Sequence, residues 1–228
     1  MSTHAAEPSS TPGSAPGQDG SHRPVVTIWE EYGSGAEAVG RAVAERLGLP
    51  YHAQAFSSED IEAEGAPQDE SATAQSIQSR VNLSQVLAAM GGAFGGGDGM
   101  EYIDAQRDKR ELIDDNNATV RRYGEEGGVI VGRNATKILA NRPRTLHVLL
   151  TGDAESRVAR AAELAGISLQ QAEKRRRQED RMRTDMSTSL YGWDPREPVH
   201  YDLMINTGRI PQAAAVEAIA HAVMRAAI

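Results

Sequence analysis

The residues in this chain whose types and spacing best suit chemistry are those that handle phosphate. The stretch at 27–40, TIWEEYGSGAEAVG, reads as a β-branched strand end, a glycine-rich turn and the start of an amphipathic helix. Such a turn presents backbone N–H groups and the positive end of a helix dipole to an anion. Tyr32, Gly33, Ser34, Gly35 and Ala36 would line it. A standard phosphate loop, GxxxxGK(S/T), adds a lysine for the β- and γ-oxygens and a hydroxyl for Mg2+. Here Ala36 stands at the lysine, no Ser or Thr follows it, and Glu30 stands at the first glycine. A carboxylate about 6 Å from a triphosphate costs roughly 2–3 kcal/mol even at an effective dielectric of about 20. Two readings stand side by side: a variant cradle that keeps its backbone donors, and a tight strand-to-helix turn flanked by solvated glutamates.

Three further groups could serve the same chemistry. Gly132–Arg133 follows the apolar run at 128–131, and an arginine fork at a strand end matches two phosphate oxygens in one plane. The stretch 169–183 carries Lys174, Arg175, Arg176, Arg177, Arg181 and Arg183, with Arg157 and Arg160 on the helix before it. Arg177 and Arg181 are i,i+4 neighbours and share a face. Arginines so placed stabilise a transferring phosphoryl group; the competing reading is a solvated helix, because Glu173, Glu179 and Asp180 are interleaved. YDLMINT ends in Asn206–Thr207, where Asn206 either meets a base or caps a turn. The six histidines show no metal-ligand spacing, so no metal site is read from side chains. The glycines at 91–99 resemble a phosphate loop, but no strand precedes them, and they read as a hinge or connector.

These groups need elements to bring them together. Strands are expected at 25–29, 51–56, 128–131, 146–150 and 203–205. Helices are expected at 36–47, 77–90, 102–123, 153–165, 169–183 and from Pro211 to 227, with a Ser168/Gln171 capping box and Gly48 and Gly166 as stops. Residues 57–75 read as a polar loop with a short helix. Strands alternating with helices predict an α/β fold with a parallel sheet covered on both faces. Ligands then bind beyond the carboxyl ends of the strands, the rim that receives 32–35, Gly132–Arg133 and Asn206–Thr207.

The bulk numbers bound the rest. The chain has 228 residues, enough for one domain, with a disordered Ser/Pro/Gly-rich tail at 1–22 and a folded part at 23–228. Its net charge of −8 argues against nonspecific nucleic-acid binding. There is no cysteine, no apolar run of membrane-spanning length and no apolar signal-peptide core at the N-terminus, which predicts a cytoplasmic protein without membrane contact. Val86, Leu87 and Met90 form an apolar stripe suited to self-association into a homo-oligomer.

Taken in order, YGSG opening a helix, VIVGRNA, LHVLL, EDRMR and YDLMINTGRI resemble the cytidylate kinase-like family, a branch of the P-loop nucleoside monophosphate kinases, over roughly 24–226. The resemblance implies a P-loop kinase-like three-layer fold with a central parallel sheet of about five strands. It also implies a helical monophosphate-binding insertion at 53–122 and an arginine-bearing lid at 153–195. Active members move the γ-phosphoryl of Mg-ATP to a monophosphate such as CMP, so the implied cofactors are ATP and Mg2+ and the implied partner is a small-molecule nucleotide. Family members carry Ser-Arg before the loop, where this chain has Trp29–Glu30. The resemblance therefore leaves two functions open: a nucleotide kinase working through Arg133, Arg177, Arg181 and Arg183, or a catalytically inactive P-loop fold with a regulatory or assembly role.

Overall fold

The computed structural model describes residues 22–58, 61, 85, 86 and 99–225, with the backbone alone for 99–108. The tail at 1–21, the glycine stretch at 91–98 and most of the stretches expected as a loop at 57–75 and a helix at 77–90 lie outside the described residues. Five parallel strands form one sheet, β1 (Val25–Glu30), β2 (Tyr51–His52), β3 (Gly128–Val131), β4 (Thr145–Thr151) and β5 (Leu203–Asn206), in the order β2-β3-β1-β4-β5. The helices are α1 (Ala36–Leu47), α2 (Gly99–Glu126), α3 (Ala135–Ile138), α4 (Ala154–Ala165), α5 (Leu169–Tyr191) and α6 (Gln212–Arg225), with a 3-10 turn at Pro198–His200.

β1 is central, with Val25 opposite Gly128 on one side and Thr145 on the other. All six of its residues are buried, as expected of a strand covered on both faces. Val26 and Ile28 pack with Val129, Val131, Val148 and Leu150 against α1 and α6. α1 contributes Val39, Val43 and Ala44, the one-face periodicity that made it legible. On the other face Val25 and Ile130 meet Val120 of α2 and Ala135 and Leu139 around α3. Thr27 puts a hydroxyl into that layer, where its Oγ1 lies 2.7 Å from His147 Nδ1 and 3.0 Å from Thr136 Oγ1. A buried hydroxyl left unpaired would cost about 1–3 kcal/mol, so this chain of polar groups is what makes a threonine acceptable there.

Because β1 lies between β3 and β4, the connections leave it in opposite directions, and the turn after β1 sits at the switch point where such sheets bind ligands. Several boundaries differ from expectation. β2 ends at His52 rather than at 56, α2 spans Gly99–Glu126 rather than 102–123, β4 and β5 are slightly longer, and α3 has no counterpart among the expected helices. Two differences bear on the site. β1 runs one residue further and takes Glu30 into the sheet. α5 runs two turns beyond 183, with the hydroxyls of Thr184, Ser187 and Thr188 turned back to carbonyls four residues earlier rather than competing from outside the helix, and Gly192 at φ 65° ends it. Among the described residues no helix is long and apolar enough to cross a membrane. Val86, read as part of an associating stripe, is buried, while Leu87 and Met90 lie outside the described residues.

Candidate functional site

The turn after β1 is held almost entirely through its backbone. Glu31 N–H donates to Leu150 O and Glu31 O accepts from Ser34 N–H, at 3.1 and 3.0 Å. The next three carbonyls are taken by residues far along the chain. Tyr32 O accepts from Arg157 Nη1 at 2.9 Å, Gly33 O from Arg160 Nη1 at 2.8 Å, and Ser34 O from Thr207 Oγ1 at 2.8 Å. Tyr32 N–H donates to Asp180 Oδ1 at 2.8 Å, and the Tyr32 ring packs into an apolar cluster with Val158, Ala161 and Ala172. Gly33 and Gly35 have φ of 80° and 87°, and a Cβ on Gly33 would lie 2.4 Å from Arg157 O. Both the dihedral and the approach require glycine.

Glu30 occupies the mouth of this turn. Its Oε2 accepts the Ala36 N–H at 3.0 Å, and the Gly35 amide lies close enough to favour its charged form. These are the first amides of α1, the donors that a phosphate cradle turns toward its ligand. Arg183 Nη1 lies 3.4 Å from Glu30 Oε1, while Arg183 Nη2 donates to Glu179 Oε2 at 2.6 Å. Glu179 is 1% exposed. Burial pushes the Glu30 pKa up, against the pull of Arg183 and the two amides. Burial also opposes the charge on Arg183, yet Glu30 and Glu179 together hold its pKa above the ordinary value. Two carboxylates thus share one guanidinium, and Glu179 Oε1, Arg183 Nε and Ser34 Oγ are buried without hydrogen bonds.

The other arginines divide sharply. Arg157 is buried and donates to Gly152 O at 3.0 Å and Asp180 Oδ2 at 3.1 Å, with Glu31 at 3.7 Å. Arg160 is spent on Gly33 O and on Thr207 O and Oγ1. Arg176 pairs with Glu173 and Asp180. Arg177 is 73% exposed and pairs with Glu173. Arg177 and Arg181 line a shallow depression on α5 together with Lys174 and Asp185. At 100° per residue they point 120° and 160° away from Arg183, so α5 brings only Arg183 of the three to the loop.

A second feature lies on the same rim. A cavity of about 670 Å³ opens between the ends of β1 and β3, α2 and α5. Phe56, Ile61, Val86, Leu112, Ile113, Met186 and Leu190 give it apolar walls, while Gln54, Asn116, Thr119, Arg133 and Tyr191 supply polar groups. Gly132 has φ 68°, and Arg133 and Asn134 follow at 59° and 55°, a left-handed run at the strand end. Asn116 Nδ2 donates to Arg133 O at 2.9 Å and Tyr191 OH at 2.7 Å, and Trp193 Nε1 donates to Asn134 Oδ1 at 2.8 Å. The Arg133 Nε donates to Ala53 O at 2.8 Å, and its guanidinium carbon lies 6.0 Å from the centre of the Tyr123 ring. Burial pushes the Arg133 pKa down, and no carboxylate among the described residues pairs with it. Asn206 Oδ1 accepts from Gly208 N–H at 3.0 Å, which is the turn-capping alternative of the two the sequence left open.

The sequence expected the 32–35 turn, Gly132–Arg133 and Asn206–Thr207 at the carboxyl ends of the strands, where β1, β3 and β5 put them, and expected Arg183 on an arginine-bearing lid. It missed that Thr207, Arg157 and Arg160 are struts for loop carbonyls. Their only signal was the i,i+3 spacing of two arginines on one helix. Glu30 stood out as an oddity, but its hydrogen bonds were invisible.

The residues at the loop do not fit a Mg-triphosphate in this arrangement. The Ala36 amide is taken, the Gly35 amide faces a carboxylate, the lysine position is alanine, and the nearest guanidinium is already held by two glutamates.

Comparison with known proteins sets this geometry in a family. A crystal structure of an uncharacterized protein from Eubacterium ventriosum ATCC 27560 superposes with a TM-score of 0.61 over 90% of this chain and 99% of that one, at 19% identity, a likeness of fold alone. A protein of Corynebacterium glutamicum named uronate isomerase is 39% identical over 83 residues, 36% of this chain, and the chain spans 16% of that protein's length. The profile of the cytidylate kinase-like family matches residues 25–209, which takes in the whole sheet, the loop, the cavity rim and α5, and the chain belongs to that family.

Proposed function

We propose that the chain binds a nucleoside monophosphate in the 670 Å³ cavity, with the phosphate on Arg133 and the nucleoside against the apolar wall. The observation that carries this is Arg133 itself. Its guanidinium is half-buried, with one carbonyl partner and no carboxylate among the described residues, whereas Arg157 and Arg183 on this rim are paired with carboxylates. The Nε bond to Ala53 O fixes the plane of the fork and leaves the two terminal nitrogens for two phosphate oxygens. The cavity volume lies within the range of small-molecule sites. Residues 53–122 then serve as the acceptor-side insertion and 153–195 as the lid, and CMP is the first monophosphate to try, given the family.

A second reading adds transfer of a phosphoryl group from Mg-ATP to that monophosphate. Arg183 favours it, because α5 delivers a guanidinium to the loop where a lysine is lacking. Calorimetry with CMP, dCMP, UMP and AMP against wild type and Arg133→Ala tests the binding reading. Saturable binding of one monophosphate, weakened by about 10- to 100-fold in the variant, is expected from the loss of charge-assisted bonds. No binding of any monophosphate, or equal affinity in the variant, overturns it. ADP formation from Mg-ATP, measured on the same samples, decides the second reading.

A further inference from the structure

We propose that the Glu30 carboxyl group is the loop's own internal occupant, seated on the amides a phosphate would use, and that it closes this loop to the triphosphate of a nucleotide. The proposal concerns the loop; Glu30 and Arg183 also line the cavity, but the two readings rest on different anion contacts, the α1 amide here and Arg133 there.

Three observations on this chain converge. Glu30 is the last residue of a fully buried strand, and its carboxyl group, buried at the edge of the cavity, turns onto the Ala36 amide. Its second oxygen faces Arg183, which Glu179 holds from the other side at 2.6 Å. The loop backbone is already curved as a cradle and is pinned through its carbonyls by Arg157, Arg160 and Thr207, so the cradle's form does not depend on a bound ligand.

An incoming polyphosphate would have to displace an acceptor bonded to the Ala36 amide and leave two buried carboxylates beside it. The buried atoms without partners, Glu179 Oε1 and Arg183 Nε, show that the closed cluster is not fully satisfied. Removing the Glu30 side chain would leave Arg183 with one carboxylate instead of two and free the Ala36 amide, turning the turn into an anion site.

The test is titration of tripolyphosphate and Mg-ATP into wild type, Glu30→Gln and Glu30→Ala by calorimetry, with amide resonances of Gly35 and Ala36 followed by NMR. Wild type is expected to take neither ligand and to keep both resonances in place. Glu30→Ala is expected to gain tripolyphosphate affinity by about a hundredfold, the scale of one charge-assisted amide bond and one share of Arg183 no longer competed for. Glu30→Gln, which keeps an amide oxygen for the Ala36 N–H, should gain less. Shifts of the Gly35 and Ala36 resonances when tripolyphosphate is added to wild type overturn the proposal, even if Glu30→Ala does not fold. So does wild-type binding of ATP only with Mg2+, which would make Glu30 a metal ligand, and so does equal affinity across folded variants. Loss of monophosphate binding with this pattern intact would count against the cavity reading alone.

Discussion

Replacing Arg157 by alanine removes a guanidinium that is 5% exposed and joins three elements. It bonds Gly152 after β4, Tyr32 in the loop and Asp180 on α5, at 3.0, 2.9 and 3.1 Å. Breaking a buried pair by removing one partner costs about 3–5 kcal/mol. Asp180 retains Arg176 at 3.4 Å and is partly exposed, which places the expected loss at the low end, about 3 kcal/mol. For a domain of this size that lowers Tm by roughly 6–12 °C. Urea unfolding with linear extrapolation, beside a thermal scan, reads both quantities. Arg177→Ala is the internal control, since its pair with Glu173 is exposed and should be worth under about 0.5 kcal/mol. A loss below about 1 kcal/mol for Arg157→Ala, or strict additivity with Asp180→Ala, would refute the idea that this arginine ties the loop to α5.

Other consequences are open to measurement. Gly33→Ala combines a left-handed φ with a Cβ 2.4 Å from Arg157 O, and should destabilise by more than the roughly 1 kcal/mol of the dihedral alone; a smaller change in urea midpoint would show that the loop can shift. Burial lowers the His147 pKa below its unfolded value, so the unfolded chain binds more protons under acid conditions. Stability should therefore be complete above about pH 6.5 and fall as the pH drops below it, and His147→Gln should flatten that slope in a pH series of unfolding curves. Asn134→Ala removes the acceptor of the Trp193 indole and places alanine at φ 55°; a loss of about 1–2 kcal/mol and a red shift of tryptophan emission are expected.

The fold was legible where patterns repeat. The β-branched runs at 25–29 and 128–131 and the i, i+3, i+4 spacing of α1 carry their burial in their composition. The Ser168/Gln171 box and the glycine stops were local signals, and all are present as read. The end of α5 was not legible, because Thr184, Ser187 and Thr188 look like helix breakers until their hydroxyls are seen bonded to the preceding turn. Glu30 read as the exit from the strand, since a carboxylate in a sheet interior makes sense only with amides and an arginine supplied from positions 35, 36 and 183. The same holds for Arg177 and Arg181. Helical phase shows that they share a face, but which face meets the loop is fixed by how α5 packs on α4, through Ala172 and Val158.

The strutting of the loop carbonyls by Arg157, Arg160 and Thr207 separates the path of this turn from its ligand chemistry. The curve is written at positions more than a hundred residues away, so a change of side chain at the mouth alters what the turn holds without redrawing it. Residue 30 then acts as a selector on a fixed frame. A carboxyl group fills the frame from within, a small residue empties it, and a cation there would invite an anion from outside. For protein engineering, the turn is a ready-made graft site in which one codon sets the sign of the guest, while the codons for 157, 160 and 207 are the ones to leave alone.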